Sequence, residues 1–382
     1  MSFGAVVTHG DNNQPIPEEL SQWLVEVRIE QELNKPARFA IRFEDDICGD
    51  SFEVQNNMVL QPDSLVGIFV PVNNQESIQT SDMECLIIGR VTKIKSSLQL
   101  GGPGTWIEFH GEDRRIEMDR LAVTANWQGN GADIISSILS SYDFTPDVSD
   151  IDSEYTETEQ LNQSGTDLSF LNKIVNEHGL NFWIGYEVDS INQTNGQYSV
   201  SQTAIVKISP PEEGATNLSL LPDDNQEASF RVNVIQSQCP NVNVFSAEVD
   251  TEVPNARLGQ NDETESHESE QRAEAIGEGQ TITEVGGAVR TIPRNSPGTE
   301  EDRQLRERSA LRDASWFVEA SVSTSVHMYG KTIHPHTIIS VEGAGNTLSI
   351  PYQVKSVTHV VNASDHMMDI KLRSNTLGSR GA

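Results

Sequence analysis

The sequence is poor in cysteine and contains no long apolar run. Its 382 residues include only three cysteines, Cys48, Cys85 and Cys239, and none has the close spacing of a zinc-binding or redox pair. Their odd number and wide separation argue against a disulfide framework and predict synthesis in a reducing compartment. No stretch reaches the roughly 18 apolar residues that span a membrane, so no membrane insertion is predicted.

The amino terminus also lacks the features of a secretory signal peptide. Residues Met1 to Gly10 contain neither a basic segment nor an apolar core of the kind that a signal peptide needs. The sequence therefore predicts a protein made in the cytoplasm without a signal peptide.

Basic residues are scarce relative to acidic ones. Twenty-six Lys and Arg face 57 Asp and Glu, which gives a formal net charge of -31. A field of that sign repels nucleic acid phosphates and anionic lipid head groups, so sequence-specific nucleic acid binding is not predicted. The acidity suits either solubility alone or an acidic surface that meets a basic partner.

Apolar and polar residues alternate along much of the first 120 residues. The segments Trp23 to Ile29 and Ala37 to Phe43 each place apolar side chains on one face, and the turn Asn34-Lys35-Pro36 joins them. Alternation of this kind predicts half-buried strands, here in a hairpin. Further strands are predicted at Leu65 to Val70, Cys85 to Lys95 and Thr105 to His110. Residues 1–120 are thus predicted to form a small antiparallel barrel or sandwich.

The middle of the chain changes to helical periodicity. Apolar residues recur on one helical face from Asp133 to Tyr142. A second helix is predicted from Thr166, as N-cap, to a stop at Gly179. A strand from Asn181 to Val188 follows. Residues 121–225 are therefore predicted to be an α+β domain.

The carboxy-terminal part combines strands with a long acidic segment. Between Glu248 and Arg303 there are fourteen acids and five Arg with little periodicity, which is typical of a segment that cannot bury an apolar core. A helix is predicted from Thr299 to about Phe317. Strands are predicted at Ala204 to Ile208, Ala228 to Gln236, Ser321 to Met328, Thr337 to Glu342, Tyr352 to Val361 and Met367 to Arg373. Residues 226–250 and 316–382 are predicted to form a second β-domain, interrupted by an acidic insertion with a helix at 251–315.

Enzyme signatures are weak throughout. Gly330-Lys331-Thr332 resembles the end of a phosphate-binding loop, but Ser325 occupies the place of the required first glycine and no helix is predicted to follow. His334 and His336 lie close in sequence, and His359 on a neighbouring strand is a candidate third metal ligand, although turn or interface histidines explain them as well. No catalytic, cofactor-binding or metal-binding residue is predicted.

Aromatic residues offer two further interpretations. Trp127, Trp183 and Trp316 are candidates for a carbohydrate-binding surface, although single tryptophans in apolar patterns are more often core or interface anchors. Aromatic and aliphatic residues at barrel edges, such as Phe43, Phe69 and Trp106, are expected to anchor contacts between subunits.

Three segments together resemble the phage late control, or baseplate hub, family, which is related to the hub part of valine-glycine-repeat spike proteins of type VI secretion. They are Asp167 to Leu171 followed by Gly179 to Ile184, Gly89 to Val91 followed by Glu108 to Arg114, and Tyr352 to His359 ending in Lys371 to Asn375. Their order and spacing extend the resemblance over nearly the whole chain.

This resemblance implies an α+β, mainly β fold with two tube-like antiparallel β-barrel domains. It implies a non-enzymatic homotrimer, in which six barrels form a ring that adapts a sixfold tail tube to a threefold spike. Because the sequence given ends at Ala382 soon after the last predicted strand, the spike is expected to be a separate protein. The implied partners are that spike, the inner tail tube protein and other baseplate proteins, assembled into the baseplate of a phage tail or a phage-tail-like particle. A tail-associated peptidoglycan hydrolase or protease, and a carbohydrate-binding adhesin, are the alternative functions.

Overall fold

The computed structural model describes most of the chain outside the acidic region. The described residues are 4–44, 54, 59–72, 83–99, 104–148, 151, 153–157, 160–192, 194–207, 217–220, 241–253, 255–258, 275–277, 279–281, 289–292 and 300–378. Cys48, Cys239 and the predicted strand Ala228 to Gln236 lie outside them. Within this part of the chain, no helix is long and apolar enough to cross a membrane.

Strands dominate the first part of the chain, which we call the first β-module. Its strands are β1 (Val6–His9), β2 (Gln14–Pro15), β3 (Leu24–Glu32), β4 (Lys35–Glu44), β5 (Leu65–Pro71), β6 (Met83–Ser97) and β7 (Trp106–Asp113). A short helix α1 (Glu18–Ser21) precedes β3, and a 3-10 helix (Arg114–Asp119) follows β7.

Helices and short strands alternate in the next part, the middle module. Its elements are β8 (Ala122–Trp127), β9 (Gly129–Asn130), α2 (Gly131–Ser140), β10 (Thr145–Val148), β11 (Glu154–Tyr155), β12 (Leu161–Thr166), α3 (Asp167–His178), β13 (Asn181–Ile191) and β14 (Tyr198–Lys207). Both predicted helices of this region are therefore present.

The remaining elements include a second set of long strands. They are β15 (Leu218–Ser219), β16 (Val244–Val249), β17 (Asn255–Leu258), β18 (Gln280–Thr281), β19 (Val289–Ile292), α4 (Glu300–Asp313), β20 (Val318–Ser325), α5 (Val326–Tyr329), β21 (Ile338–Glu342), α6 (Gly345–Leu348), β22 (Pro351–Asn362), β23 (His366–Ser374) and β24 (Thr376–Leu377). We call β15, β16 and β20 to β23 the C-terminal β-module.

One sheet runs through both β-modules. Its strand order is β16-β20-β23-β22-β3-β4-β7-β6-β5-β1-β2, with β15 and β21 attached beside β22. The two modules join where β22 pairs antiparallel with β3, which places His359 opposite Ile29. The predicted α+β, mainly β class is confirmed. The pairing among the described residues is that of an open sheet, and no closed barrel is found in them.

The acidic insertion begins and ends on neighbouring strands. β16 pairs with β20 from Val244 opposite Ser323 to Val249 opposite Val318. The amide of Asp250 then donates to the carbonyl of Phe317 over 2.8 Å. A strand before the insertion and a strand after it are thus neighbours in one sheet.

Buried apolar side chains form separate clusters that match the modules. One cluster lies under the first β-module, one under the middle module and one under the C-terminal β-module. A fourth cluster couples the first β-module to the middle module, and in it the rings of Phe69 and Tyr198 stack with centroids 4.2 Å apart. Cys85, a free buried cysteine, belongs to this fourth cluster.

Helix α3 has the ends that its sequence predicts. The hydroxyl of Thr166 accepts a hydrogen bond from the amide of Ser169 at 3.2 Å, which satisfies one of the free amides of the first turn. Gly179 follows the helix with a φ of 67°, the left-handed conformation that favours glycine at this position. Capping residues therefore fix both ends of the helix.

The predicted ends of one helix and one strand are wrong by four and three residues. Helix α4 ends at Asp313, before the predicted Phe317. The predicted strand Ser321 to Met328 ends at Ser325, because the Ser325 hydroxyl accepts from the amide of Met328 and starts the short helix α5. A capping serine overrides the strand pattern there.

Candidate functional site

Polar side chains of the two β-modules meet where the modules join. Glu84 on β6 and Gln31 on β3 face His334, which lies in the loop between α5 and β21. The His334 Nε2 atom lies 2.6 Å from Glu84 Oε1, and its Nδ1 lies 3.2 Å from Gln31 Oε1. Because Gln31 Nε2 donates to the carbonyl of Leu86 at 3.0 Å, Oε1 is the Gln31 atom that faces His334. Both ring nitrogens thus face acceptors, which a doubly protonated imidazole satisfies.

The Glu84 carboxylate is held ionised in this contact. Burial alone would raise its pKa, but the charge of His334 and hydrogen bonds from His334 and Thr332 together lower the pKa of Glu84 below its usual value. The Thr332 hydroxyl donates to the second carboxylate oxygen. We call Gln31, Glu84, Thr332 and His334 the junction clasp.

A buried histidine pair lies behind the junction clasp. Nδ1 of His359 lies 3.0 Å from Nε2 of His366, and the ring of His359 lies 6.2 Å from that of His334. Burial is the main reason why the pKa of His359 falls well below its usual value and the pKa of His366 falls to about 4. Both rings are therefore neutral near pH 7, and one donates a hydrogen bond to the other.

The candidate metal ligands do not converge. His334 contacts Glu84, and His359 contacts His366, whereas the ring of His336 stacks on Trp183 with centroids 4.0 Å apart and planes 12° apart. Among the residues that the structure describes, no group of three His, Cys, Asp or Glu is arranged to hold a metal ion. The histidines form paired contacts within the fold.

The segment Gly330-Lys331-Thr332 does not form a phosphate-binding loop. Gly330, with a φ of 95°, ends the four-residue helix α5, and the chain then continues in a loop toward β21. The hydroxyl of Thr332 is used in the junction clasp.

A cleft of about 250 Å³ lies where the two β-modules and the middle module meet. Asp113 and Arg115 form an almost fully buried ion pair in its wall, with Arg115 Nη2 2.6 Å from Asp113 Oδ2. Arg115 also donates to the carbonyls of Phe182 at 2.8 Å and Lys35 at 2.7 Å. The guanidinium group therefore ties the first β-module to the middle module, and its donors are engaged with the protein itself.

The three tryptophans have different surroundings. Trp127 donates from Nε1 to Gln163 Oε1 at 2.8 Å, and Trp183 stacks on His336. Trp316 lies under the guanidinium of Arg373, which is 4.2 Å from the ring centroid. Each ring thus packs against a different part of the protein itself.

Two of the predicted interface anchors are core residues. Phe43 and Phe69 are each at most 2% exposed within the single chain, so the expectation that they contact another subunit is wrong. Phe43 lies in the core of the first β-module, and Phe69 lies in the cluster that couples this module to the middle module. Trp106 is half-buried on the outer face of the sheet, beneath the guanidinium of Arg42 at 4.8 Å.

The outer face of β3, β4, β7 and β6 is balanced in charge, although the chain as a whole is strongly acidic. Opposite charges stand on neighbouring strands, as in the pair of Arg38 and Glu112 at 3.1 Å. The cations on this face are Arg28, Lys35, Arg38, Arg42, Lys93 and Lys95, and the carboxylates are Glu26, Glu30, Glu32, Glu44, Glu108 and Glu112. The acidic excess of the chain therefore comes from residues outside this face.

Besides the short strands β2 and β15, two longer stretches of the long sheet have an edge without a strand partner among the described residues. Strand β16 pairs with β20 on one side only. The second half of β6, from Thr92 to Ser97, pairs with β7 on one side, but the pairing of β6 with β5 ends at Arg90. Such edges leave backbone hydrogen-bonding groups available to another chain.

Similarity to known proteins is found among solved structures. No protein-family model matches this sequence, and no curated protein sequence matches it. Among solved structures, the 43 kDa tail protein of prophage MuSo2 from Shewanella oneidensis is similar, with a TM-score of 0.60, 11% identity, and coverage of 97% of this chain and 98% of the other. A tail protein from Neisseria meningitidis MC58 matches with a TM-score of 0.59, 10% identity, and coverage of 98% and 97%.

A third similar structure comes from a secretion machine. The Escherichia coli c3393 protein is described as a component of the type VI secretion system with structural similarity to the bacteriophage T4 tail proteins gp27 and gp5. It matches with a TM-score of 0.51, 12% identity, and coverage of 98% of this chain and 79% of that one. The chain thus has the fold of phage tail and type VI secretion proteins, and the resemblance seen in the sequence is confirmed at the level of the fold.

Proposed function

We propose that this protein is a structural baseplate hub of a phage-like contractile tail or injection system. The observation that carries the proposal is the match in fold over almost the whole of this chain and almost the whole of two tail proteins. A match over both full lengths includes the two β-modules, the middle module and their order along the chain. It therefore concerns the complete architecture and not one common β-domain.

The proposed assembly is a homotrimeric ring that adapts a sixfold tail tube to a threefold spike. Each chain would contribute two tube-like domains, residues 1–120 and residues 226–250 with 316–382, so three chains would present six similar surfaces to the tube. Residues 121–225 and the insertion at 251–315 would lie beside them. The proposed partners are the inner tube protein, a separate spike protein and other baseplate proteins, in a particle assembled from protein made in the bacterial cytoplasm.

We also propose that the hub has no catalytic activity. The polar groups that come together in the junction clasp and around Arg115 are bonded to one another and to backbone carbonyls. This supports a role in holding modules together, because a general acid or nucleophile has to be available to a substrate.

The mass of the assembly in solution tests the hub. Mass photometry and sedimentation velocity of the purified protein, alone and with its tube and spike partners, should give a species of three times the 42.1 kDa chain mass. The trimer should bind tube rings on one face and the spike on the other in negative-stain images. A protein that stays monomeric at every concentration and with both partners present would contradict the proposal. Hydrolysis of purified peptidoglycan would instead favour the enzyme.

A further inference from the structure

We propose that the buried pair of His359 and His366 makes the join between the two β-modules an acid-responsive hinge. A proton taken up by the pair loosens the pairing of β22 with β3, while the strands within each module stay paired. This inference goes beyond the proposed hub and does not depend on it, because it concerns contacts within a single chain.

Strand β22 passes from one apolar core to the other. Its inward-facing Val357 belongs to the core of the C-terminal β-module, and Val361 belongs to the core of the first β-module. His359 lies between them on the same face of the strand and is completely buried. Its register partner on β3 is Ile29. The inward face of β22 is therefore apolar on both sides of the join and polar at the join itself.

The geometry of the histidine pair leaves no favourable place for a further proton. Nε2 of His359 has no hydrogen-bond partner among the described residues, and an N–H group buried without an acceptor is costly. The ring proton of His359 therefore lies on Nδ1, which donates to Nε2 of His366 over 3.0 Å. A proton added at Nε2 of His366 would face this N–H group, and one added at Nε2 of His359 would find no acceptor. Either proton breaks the hydrogen bond or leaves a buried charge without a partner.

The charged groups around the pair do not remove this cost. Three of them act on the pair from other elements, namely Glu84 of β6, His334 of the loop before β21 and Asp365 of the turn before β23. Strand β3 adds none, because Arg28 and Glu30 on either side of Ile29 are exposed on its outer face. Burial outweighs the two carboxylates and holds the pKa of His366 at about 4, and His334 lowers it further.

The proton that His366 takes up sets how far acid shifts the hinge. An exposed histidine has a pKa of about 6.5, so at pH 5 an open form binds this proton, whereas the closed form, in which the pKa of His366 is about 4, mostly does not. The difference favours the open form about thirtyfold more at pH 5 than at pH 7.5. Exposed carboxylates are still mostly ionised at pH 5, so this pH isolates the histidines.

A simpler explanation is that acid unfolds the whole chain in one step, with the histidine pair as one of many contributors. The two explanations differ in which backbone amides become exposed. A hinge exposes the amides that join β22 to β3 and leaves the other strands protected, whereas global unfolding exposes all of them together.

Amide hydrogen exchange followed by mass spectrometry on the full-length protein separates these explanations. After correction for the intrinsic pH dependence of exchange, the protected amides in peptides covering Glu26 to Glu32 and Ser356 to Asn362 should exchange at least tenfold faster at pH 5 than at pH 7.5. Peptides covering β7 and β20, which have strand partners on both sides within their own modules, should keep their protection. Equal protection of the join at both pH values, or simultaneous loss in β7 and β20, would overturn the hinge.

Substitutions test whether the histidines cause the effect. His359→Leu with His366→Leu removes both proton-binding rings and should abolish the faster exchange at pH 5. His366→Gln is a smaller change that removes one ring, and it should reduce the effect. The matched control is His110→Gln on β7, outside the join, which should respond to pH as the wild type does. A response of His366→Gln equal to that of the wild type would show that the pair is not the proton-binding group.

Discussion

The carboxylate of Glu84 and the imidazole of His334 lie 2.6 Å apart, although 250 residues separate them in the chain. The contact bridges the two β-modules near the place where β3 and β22 join them. The contact is a polar side-chain link between these modules, in addition to the backbone pairing of those two strands.

Replacing Glu84 with Gln should lower the free energy of unfolding by about 1–2 kcal/mol, because His334 loses a charged acceptor at a largely buried site. Urea unfolding at pH 7 measures this change. The matched control is Glu108→Gln. Glu108 lies 3.0 Å from His110, and both residues belong to β7, so this contact does not link two modules. A smaller loss for Glu84→Gln than for Glu108→Gln would contradict a stabilising role for the junction clasp.

The buried ion pair of Asp113 and Arg115 predicts a large loss of stability when one partner is removed. Arg115→Met leaves Asp113 buried without its counter-ion and should cost about 3–5 kcal/mol. The double variant Asp113→Asn with Arg115→Met removes both charges, so it should be less destabilised than the single variant. Chemical unfolding of the three proteins checks this order, and equal losses in the single and double variants would show that the buried charge is not the cause.

The buried histidine pair predicts loss of stability in acid. The unfolded pKa of histidine is about 6.5, whereas that of folded His366 is about 4, so the unfolded chain binds more protons between these values. The contribution of His366 to the free energy of unfolding is therefore constant above about pH 6.5, and it falls as the pH drops toward 4.

Replacement of His366 tests this dependence of the unfolding free energy on pH. His366→Gln should reduce the difference in unfolding free energy between pH 7 and pH 4.5, because it removes one proton-binding site that only the unfolded state uses. Carboxylates with a lowered pKa, such as Glu84, add to the acid loss in both proteins, so the comparison between wild type and variant isolates the histidine. An unchanged slope would contradict a neutral buried His366.

The N-cap of α3 gives a local prediction. Thr166→Ala removes the hydrogen bond to the amide of Ser169 and a contact of 2.6 Å with Asp119, and it should cost about 1 kcal/mol. Thr166→Ser keeps the hydroxyl and should be nearly neutral. Thermal unfolding of both variants checks the difference, and equal melting temperatures would rule out the cap as the cause.

Local patterns in the sequence were sufficient to predict most individual helices and strands. The alternation in β4, the cap at Thr166 and the stop at Gly179 depend on neighbouring residues, and the structure has them where the sequence predicts them. In β3 the predicted alternation holds at Val27 and Ile29, but an irregularity between Leu24 and Glu26 buries Leu24 and leaves Trp23 and Val25 half-buried. The class of fold follows from these elements and from the three segments that resemble the hub family.

Contacts between distant segments were not predictable in the same way. Nothing near Glu84 indicates His334 as its partner, and the pairing of β3 with β22 depends on the whole fold. The alternation around Phe43 and the apolar run around Phe69 both indicate burial, but they cannot tell whether the same chain or another one covers the ring. The sequence therefore pointed to an intersubunit contact, whereas the same chain covers both rings. Ser325 is a different case, because a local signal was missed. A serine that could cap a helix by accepting from the amide of Met328 was visible in the sequence, but the strand pattern was followed instead.

The hydrogen bond from Asp250 to Phe317 holds the two ends of the acidic insertion side by side at the edge of the sheet. Described parts of the insertion also contact distant elements, because β18 pairs with β24 and the Ser309 hydroxyl of α4 donates to the carbonyl of Asn176 on α3. The insertion therefore connects the edge of the sheet to the middle module and to the last strand, in addition to linking β16 to β20.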